Sequence, residues 1–290
     1  MFPVLESREI AKNVYLQRIR APRVAKKRKA GQFLVLRRTD DGERIPLTIV
    51  SSDAAEGTVT IIFQAVGKST TEYARMKPGD AYLDVVGPLG LATHIENFGT
   101  VVGIGGGIGT APLLPIATSI KKAGNRLLSI VGARTKDLLI LEDEMRAISD
   151  EIVVTTDDGS YAKKGFVTTA LQEMIDRGEK IGVCIAIGPV PMMRAVADVT
   201  RPHGIKTVVS LNPIMVDATG MCGACRVTVG GTTKFVCVDG PEFDGHQVDF
   251  KELVMRNRAY LREEKAARER IEHKDGKCMG AAAVPAGGRN

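Results

Sequence analysis

The first third of the chain alternates apolar and polar positions in short runs. Apolar residues fall at about every second position in the segments 31–36, 46–50 and 58–63. A period of two is the period of a half-buried β-strand. Turn-forming Gly, Asp and Pro residues separate the segments, as they do in a small sandwich or barrel. We therefore predict a β domain over residues 1–96, with one short helix after Ser69.

The pattern changes near residue 97, where continuous apolar runs begin to alternate with helical stretches. Uninterrupted apolar runs indicate strands that are buried on both faces, and they lie at 100–104, 127–131, 152–155, 182–187 and 207–209. Helical patterns fill the intervals, around 111–123, 140–149, 166–177 and 190–201. This alternation is typical of a parallel sheet covered by helices. Residues 97–210 are thus predicted to form an α/β domain.

The remainder of the chain divides again. Residues 211–250 are rich in Gly, Cys and Thr and hold three of the five cysteines. Residues 251–273 return to a charged, helical pattern, and small residues dominate the chain from Gly276 onward. We predict a small metal-binding domain over 211–250, and a charged helix with a flexible tail over 251–290.

Composition narrows the function classes. Charged residues make up 26% of the chain with both signs mixed, which excludes a disordered acidic or basic protein. Trp is absent and aromatic residues make up 4%, which argues against a base-stacking nucleic-acid platform. No apolar run reaches the roughly 18–20 residues of a spanning helix, and the first residues do not resemble a secretory signal. We expect a cytoplasmic protein that binds neither nucleic acid nor membrane.

A basic stretch and the cysteines stand out against the net charge of +6. Seven of the twelve residues in 18–29 are Lys or Arg, and this stretch is interpreted either as a solvated hairpin or as a docking patch for an acidic partner. Five cysteines with three clustered favour a metal site in a reducing compartment over a disulfide framework. Cys184 is expected in the core, and Cys278 is expected as a free thiol in the tail.

A glycine-rich loop follows the first strand of the α/β domain and opens its first helix. Glycines allow a close backbone approach to phosphate, and a helix N-terminus offers unpaired N–H groups. In this context the loop predicts nucleotide binding, and the alternative is a tight packing turn. The residues expected to contact the nucleotide are Gly105, Gly106, Gly107, Gly109, Thr110 and Ala111.

Further candidates follow other strands of the same domain. Gly188, Pro189 and Met192 lie after the fourth strand, and Asp157 and Asp158 lie after the third. Because ligands collect at the carboxyl edge of a parallel sheet, we expect these loops to converge on one crevice. Taken singly, each is equally well read as an ordinary loop. After the second strand the usual acidic ribose anchor is absent, and Arg134 stands there instead, so NADH and NADPH both stay open.

The third motif is Asp217-x4-Cys222-x2-Cys225-x11-Cys237. It reproduces the plant-type iron–sulfur spacing, Cys-x4-Cys-x2-Cys and a distant Cys, with Asp in the first Cys place. Three thiolates and a carboxylate are able to ligate a [2Fe–2S] centre. Two alternatives stay open: a zinc ribbon that lacks its fourth thiolate, and an Asp217 that is a turn residue without a ligand role.

Together these motifs resemble the ferredoxin–NADP reductase superfamily. The order with a C-terminal cluster resembles the electron-transfer subunits of dihydroorotate dehydrogenase B. The chain is more similar still to the small subunits of electron-bifurcating NADH-dependent ferredoxin:NADP oxidoreductases, since Asp217 replaces a Cys ligand and a long charged helix ends the chain. The resemblance covers about residues 3–260. It implies a β-barrel FAD domain, then a nucleotide-binding α/β domain and a small iron–sulfur domain with a helix.

The resemblance also implies which residues hold FAD. The family motif Arg-x-Tyr-Ser/Thr falls on residues 45–48, so Leu47 takes the Tyr place and Thr48 offers its hydroxyl near flavin N5. Ile45 takes the Arg place, with Arg44 one residue earlier. A second family segment is expected to hold the FAD pyrophosphate. The expected FAD-binding residues are Arg44, Pro46, Leu47, Thr48, Val66, Gly67, Lys68, Ser69 and Thr70.

The function that the resemblance implies is an electron relay. NAD(H) exchanges a hydride with FAD, and FAD exchanges single electrons with a [2Fe–2S] cluster. The partner is a larger flavin and iron–sulfur subunit in a heterodimer, through which ferredoxin is reached indirectly. The first alternative is the electron-transfer subunit of dihydroorotate dehydrogenase B, and a second is a non-catalytic module that binds zinc and a nucleotide.

Overall fold

The first domain is a nearly closed antiparallel barrel in a computed structural model that describes residues 1–274, with side chains through Ile271. Its seven strands follow the order β6-β1-β2-β5-β4-β3-β7. The two edge strands, β6 and β7, are consecutive in the chain, so the sheet almost meets itself. The elements are β1 (Phe2–Ala11), β2 (Val14–Arg20), α1 (Pro22–Lys27), β3 (Phe33–Arg37), β4 (Ile45–Asp53), β5 (Thr58–Gln64), α2 (Lys68–Ala74), β6 (Ala81–Tyr82) and β7 (Asp84–Leu89).

The basic stretch 18–29 does not form the expected hairpin. It ends β2 and then forms helix α1, in which Val24 and Ala25 are buried against the barrel core. Arg28 is partly buried after this helix and donates hydrogen bonds to the carbonyl oxygens of Ile49 and Val50, at 2.8 and 2.9 Å. Desolvation lowers the pKa of Arg28. The hairpin prediction was wrong because these contacts are long-range and leave no local signal.

The second domain confirms the predicted parallel sheet. Its strands follow the order β11-β10-β9-β8-β12-β13-β16, parallel except at β16. Cys184 is fully buried in β12, as expected. The elements are β8 (Thr100–Gly106), α3 (Thr110–Lys122), β9 (Arg126–Ala133), α4 (Glu142–Ile148), β10 (Glu151–Thr156), β11 (Lys163–Lys164), α5 (Val167–Asp176), β12 (Ile181–Ile187), α6 (Val190–Thr200) and β13 (Lys206–Ser210).

The C-terminal part is tied to the second domain by a strand. β16 pairs antiparallel with β13 through Glu242–Asp244. The single helix predicted over 251–273 was wrong, because the chain forms two helices with a turn at 257–260. The expected tail and Cys278 lie outside the described residues. The elements are β14 (Arg226–Val229), β15 (Thr232–Phe235), α7 (Val236–Asp239), β16 (Glu242–Asp244), α8 (Phe250–Arg256) and α9 (Leu261–Lys274).

One apolar cluster joins the three domains. The cluster contains Phe33 and Val35 of β3, the face of the second sheet that packs against α5 and α6, and Cys225 and Cys237. Polar contacts reinforce this junction, since the Thr93 hydroxyl donates to Glu242 at 2.6 Å. Within residues 1–274, no helix combines the length and the apolar character needed to span a bilayer.

Candidate functional site

The two predicted nucleotide loops meet at the carboxyl edge of the second sheet. Strands β8 and β12 are neighbours, and the chain leaves this pair in opposite directions, toward β9 and toward β13. A crevice forms outside the strand ends at such a switch point, and α/β proteins bind ligands there. Gly107–Gly109 form a 3-10 turn after β8, and Gly188 and Pro189 follow β12.

Close packing between the loops explains several of their glycines. A Cβ on Gly109 would lie 2.2 Å from the carbonyl oxygen of Ile187, and one on Gly106 would lie 2.3 Å from Sδ of Met192. A Cβ on Gly188 would lie 2.8 Å from Cε of Met192. The Met192 side chain is flexible and can move, but the atoms that Gly109 meets are backbone, so the approach of the two loops requires glycine at position 109.

The crevice side of the first loop fits a nucleotide. Gly107 has a φ of +54° and nothing within 4 Å of an added Cβ, so its backbone faces open space. The Thr110 hydroxyl lies beside Gly105, where it is buried and has no hydrogen-bond partner in the described chain. Ala111 is fully buried at the contact with the barrel. The open backbone at Gly107, next to the start of a helix, suits a phosphate group.

Arg134, Asp157 and Asp158 lie together further along the same edge. The N–H groups of Asp157 and Asp158 donate to the carbonyl oxygens of Ala133 and Arg134, at 3.0 and 3.2 Å. Hydrogen bonds from Ser160 lower the pKa of Asp158. A cavity of about 600 Å³ begins here and reaches the barrel; it is lined by Lys12, Asn13, Gln64, Thr135, Lys136, Asp137, Leu138, Asp158 and Ser160.

The β3–β4 register places Thr48 on the barrel face that is turned toward the other domains. Thr48 pairs with Phe33, and Leu47 pairs with Leu34; paired residues of antiparallel strands share a face. Phe33 belongs to the cluster that joins the domains, whereas Leu34 and Leu47 pack in the barrel core. The Thr48 and Pro46 side chains therefore lie outside the barrel, and the Leu47 side chain lies inside it.

Arg44 and Ile45 lie at the start of β4. Ile45 packs against the barrel core, and both residues line a cavity of about 950 Å³ outside it. The Nε of Arg44 is buried and has no hydrogen-bond partner among the described residues. A buried guanidinium nitrogen beside a large cavity fits an anionic ligand such as a diphosphate. Both Arg44 and Ile45 line this cavity, and Arg44 brings the positive charge that Ile45, in the family's Arg place, lacks.

The segment Val66–Thr70 lines the same cavity. Its first two N–H groups both donate to Oγ1 of Thr70, at 3.1 and 3.0 Å, and the Ser69 hydroxyl donates to the Glu43 carboxylate. These groups already have partners within the chain, and Lys68 is the one cationic side chain that the segment contributes to the cavity lining.

Sequence reasoning missed the opposite wall of this cavity. The wall consists of residues 214–216 of the third domain and one side of α9 with the turn before it. A charge-rich helix has no apolar period that would indicate a cavity lining. The residues of this helical wall are Tyr260, Leu261, Glu263, Glu264, Lys265, Ala267 and Arg268.

The three clustered cysteines lie around one tight loop. Cys222 is exposed, whereas Cys225 and Cys237 are buried, and the Cys237 N–H lies 3.4 Å from Sγ of Cys225. Gly220 and Gly223 have φ angles of +85° and +65°, a backbone region that glycine adopts without strain. The fold thus places Cys237 next to Cys225, which lies 12 residues earlier in the chain.

Asp217 holds the start of this loop. Its carboxylate accepts hydrogen bonds from the N–H groups of Thr219 and Cys222, at 2.9 and 2.8 Å, and these bonds lower its pKa. This is the geometry of a turn residue. The carboxylate retains further lone pairs, so its role as an iron ligand stays a prediction.

The donor set fits an iron–sulfur centre. Among residues 1–274, no group of three His, Cys, Asp or Glu side chains is placed to hold a single metal ion. Burial and the neighbouring Cys225 raise the pKa of Cys237 to about 12, and metal binding takes the proton from such a thiol. Three thiols and one carboxylate within residues 217–237 match in number the four ligands that a two-iron cluster requires.

Comparison with known protein families matches two parts of the chain. Residues 104–198 match the oxidoreductase NAD-binding domain. Residues 212–249 match the iron–sulfur cluster binding domain of dihydroorotate dehydrogenase B. The second match favours the cluster over the alternative of a zinc ribbon.

Whole-length relatives extend these matches. A Thermotoga maritima homologue of the electron-transfer subunit of dihydroorotate dehydrogenase B (NAD(+)) is 49% identical, covering 92% of this chain and 94% of its own. The subunit of that name from Fusobacterium nucleatum is 33% identical over 86% and 97% of the two chains. A chain from the solved structure of an NADH-dependent reduced ferredoxin–NADP oxidoreductase, which concerns flavin-based electron bifurcation, is 48% identical. It covers 93% of this chain and 98% of its own, with a TM-score of 0.89.

Proposed function

We propose a function for this chain from the premise that it belongs to the family of dihydroorotate dehydrogenase B electron-transfer subunits and their homologues. Since it belongs to this family and has these two domains, it is an electron-transfer subunit of an oxidoreductase, with FAD, an iron–sulfur cluster and NAD(H) as cofactors. The finer assignment is the flavin and [2Fe–2S] subunit of an electron-bifurcating NADH-dependent ferredoxin–NADP oxidoreductase. The 48% identity to that structure, over almost the full length of both chains, supports it.

The proposal depends on which domains one face of the barrel contacts. Thr48 and its pair partner Phe33 lie on this face, and Phe33 belongs to the apolar cluster that includes residues of the second sheet and Cys225. Three cofactor regions thus adjoin one junction. When bound, FAD exchanges two electrons with a nicotinamide and one electron at a time with a cluster.

Each region supplies a distinct role. Arg44 and Lys68 neutralise the diphosphate of FAD in the 950 Å³ cavity, and α9 covers it. Thr48 offers a hydroxyl to the flavin ring. The loops 105–111 and 188–192 hold the nicotinamide dinucleotide, with Arg134 and the adjacent carboxylates at its other end.

The thiolates of Cys222, Cys225 and Cys237 hold the [2Fe–2S] cluster, and Asp217 completes its ligand set. Cys222 lies at the surface, which gives electrons a short way out of the chain. The subunit itself is therefore proposed to catalyse hydride exchange and to release single electrons.

Exposed apolar side chains next to the cysteine loop support the proposal that a partner protein binds there. Met221 and Val238 are 88% and 40% exposed, and each adjoins one of the proposed iron ligands in sequence. Exposed apolar groups beside a surface redox centre suit a stable subunit interface. We propose that the larger flavin and iron–sulfur subunit docks here and reaches ferredoxin indirectly. The free cysteines of the described chain fit a reducing compartment, and we propose the cytoplasm.

A second candidate is the electron-transfer subunit of dihydroorotate dehydrogenase B. Relatives of that name, such as the Fusobacterium subunit at 33% identity, favour it. Its reaction class is the same and its partner differs. Identification of the subunit that copurifies with the native protein decides between the two.

The function is tested on the full chain purified without oxygen. We expect a flavin spectrum with broad cluster absorbance, two irons per chain, and flavin reduction on adding NADH. Parallel titration with NADPH gives the nicotinamide preference. A colourless protein with stoichiometric zinc would refute the proposal.

A further inference from the structure

Two arginines hold the loop between Cys222 and Cys225. The Arg226 guanidinium donates to the carbonyl oxygen of Gly223 at 3.1 Å, and the Arg256 guanidinium donates to that of Ala224 at 3.0 Å. Gly223 and Ala224 are the two residues between the cysteines, so both inner carbonyl groups are bound by cations.

The direction of these carbonyl groups fixes the direction of the N–H groups. In a trans peptide the C=O and the following N–H point to opposite sides. With the Gly223 carbonyl drawn outward, the Ala224 N–H points back and lies 3.5 Å from Sγ of Cys222. Hydrogen bonds to ligand sulfurs and nearby charge are the features by which a protein tunes an iron–sulfur centre.

Arg256 is fixed in place by its own helix. Asp249 caps α8 by accepting from the Glu252 N–H at 2.9 Å, and the Glu252 carboxylate accepts from the Thr228 N–H at 2.8 Å. Leu253 of the same helix is fully buried. The Nε of Arg256 is buried without a hydrogen-bond partner in the described chain. A partly buried guanidinium on a rigid support acts more strongly on a neighbouring charge than a fully solvated one.

We propose that Arg226 and Arg256 are positioning residues for the iron–sulfur cluster, a role that rests on the proposed function. Arg226 holds the Gly223 carbonyl so that the Ala224 N–H faces Sγ of Cys222, Arg256 holds the next carbonyl, and both favour the reduced cluster by their charge. Reduction adds a negative charge to a centre that already has anionic ligands, so an adjacent cation stabilises the product. Arg256 has the larger effect, because Arg226 is exposed and its own backbone N–H also reaches the Gly223 carbonyl at 3.3 Å.

The test compares four variants of the full chain under anaerobic conditions. Arg256→Gln removes both charge and carbonyl bond, Arg256→Lys keeps the charge, and Arg226→Gln removes charge while the backbone bond remains. Lys251→Gln removes an exposed charge from the same helix and is the control. Circular dichroism and iron content establish folding and cluster occupancy before potentiometry with electron paramagnetic resonance.

We expect Arg256→Gln to disfavour cluster reduction by roughly tenfold, which is about 59 mV for a one-electron couple, and to release iron to a chelator about tenfold faster. Arg256→Lys should restore most of both values, Arg226→Gln should shift less, and Lys251→Gln should match the wild type. If folded Arg256→Gln contains no cluster, its restoration in Arg256→Lys supports the proposal. An unchanged potential in occupied Arg256→Gln, a Lys variant as defective as the Gln variant, or an equal shift in Lys251→Gln would overturn it. A wild-type chain without iron would instead refute the proposed function.

Discussion

The contact between the two nucleotide loops permits a sharp test through Gly109→Ala. The new Cβ would lie 2.2 Å from the carbonyl oxygen of Ile187 and 2.8 Å from Cα of Gly188, both backbone atoms. Ordinary contact begins at 3.4 Å, so the loops must separate by about 1.2 Å, from 2.2 Å to 3.4 Å. Overpacking of this kind costs about 1–3 kcal/mol of folding free energy.

Function should suffer more than folding. A misplacement of about 1 Å in a positioning loop lowers the rate of a catalysed step by roughly 100-fold. We expect Gly109→Ala to reduce the second-order rate of flavin reduction by NADH by about that factor, measured by anaerobic stopped-flow absorbance. The matched control is Gly103→Ala on β8, the strand that leads into the loop, where the new Cβ meets the flexible Leu113 side chain at 3.4 Å. If Gly109→Ala reduces its flavin at the wild-type rate, the loops do not form the nicotinamide site.

Three further predictions follow from single residues. Thr48→Ala should slow flavin reduction by NADH by up to about tenfold, the worth of one hydrogen bond, while Thr48→Ser retains the rate; equal rates in Ala and wild type would remove Thr48 from the site. Asp217→Cys should shift the cluster potential, because a thiolate replaces a harder oxygen ligand, whereas wild-type spectra in Asp217→Asn would make Asp217 a turn residue only. Desolvation raises the pKa of the half-buried Glu242, so the unfolded chain ionises first and stability falls with rising pH between the ordinary and the raised value. Glu242→Gln should remove this slope in urea unfolding curves recorded across that pH range, and an unaltered slope would contradict the assignment.

Strand patterns predicted the second domain well because its strands are buried on both faces and leave a continuous apolar signal. The structure shows these strands within a few residues of the predicted bounds. The basic stretch 18–29 was misread because its contacts with β4 connect distant parts of the chain. A turn at 257–260 was also missed, since Asn257 bonds to the distant Asn212 carbonyl and the charge pattern continues through it.

At the candidate site, motif spacing located the loops but not the direction of individual side chains. Arg44 and Ile45 are adjacent in sequence, and only the start of β4 decides which of them enters the barrel core. Likewise Leu47 matches the family motif by position while its side chain packs inward. Arg256 lies 31 residues from Cys225, so no local pattern connects it to the loop.

The pairing of β16 with β13 has a consequence for how this architecture can be rearranged. If the iron–sulfur domain were joined by a flexible linker, the rate of electron transfer would depend on how often the domain approached the flavin. Here the iron–sulfur segment forms the last strand of the neighbouring sheet, so the distance between the two domains does not vary independently. Deletion of this segment would leave β13 as an unpaired edge strand, which is prone to aggregation. Transfer of the iron–sulfur segment to another reductase therefore requires an edge strand that pairs with β16.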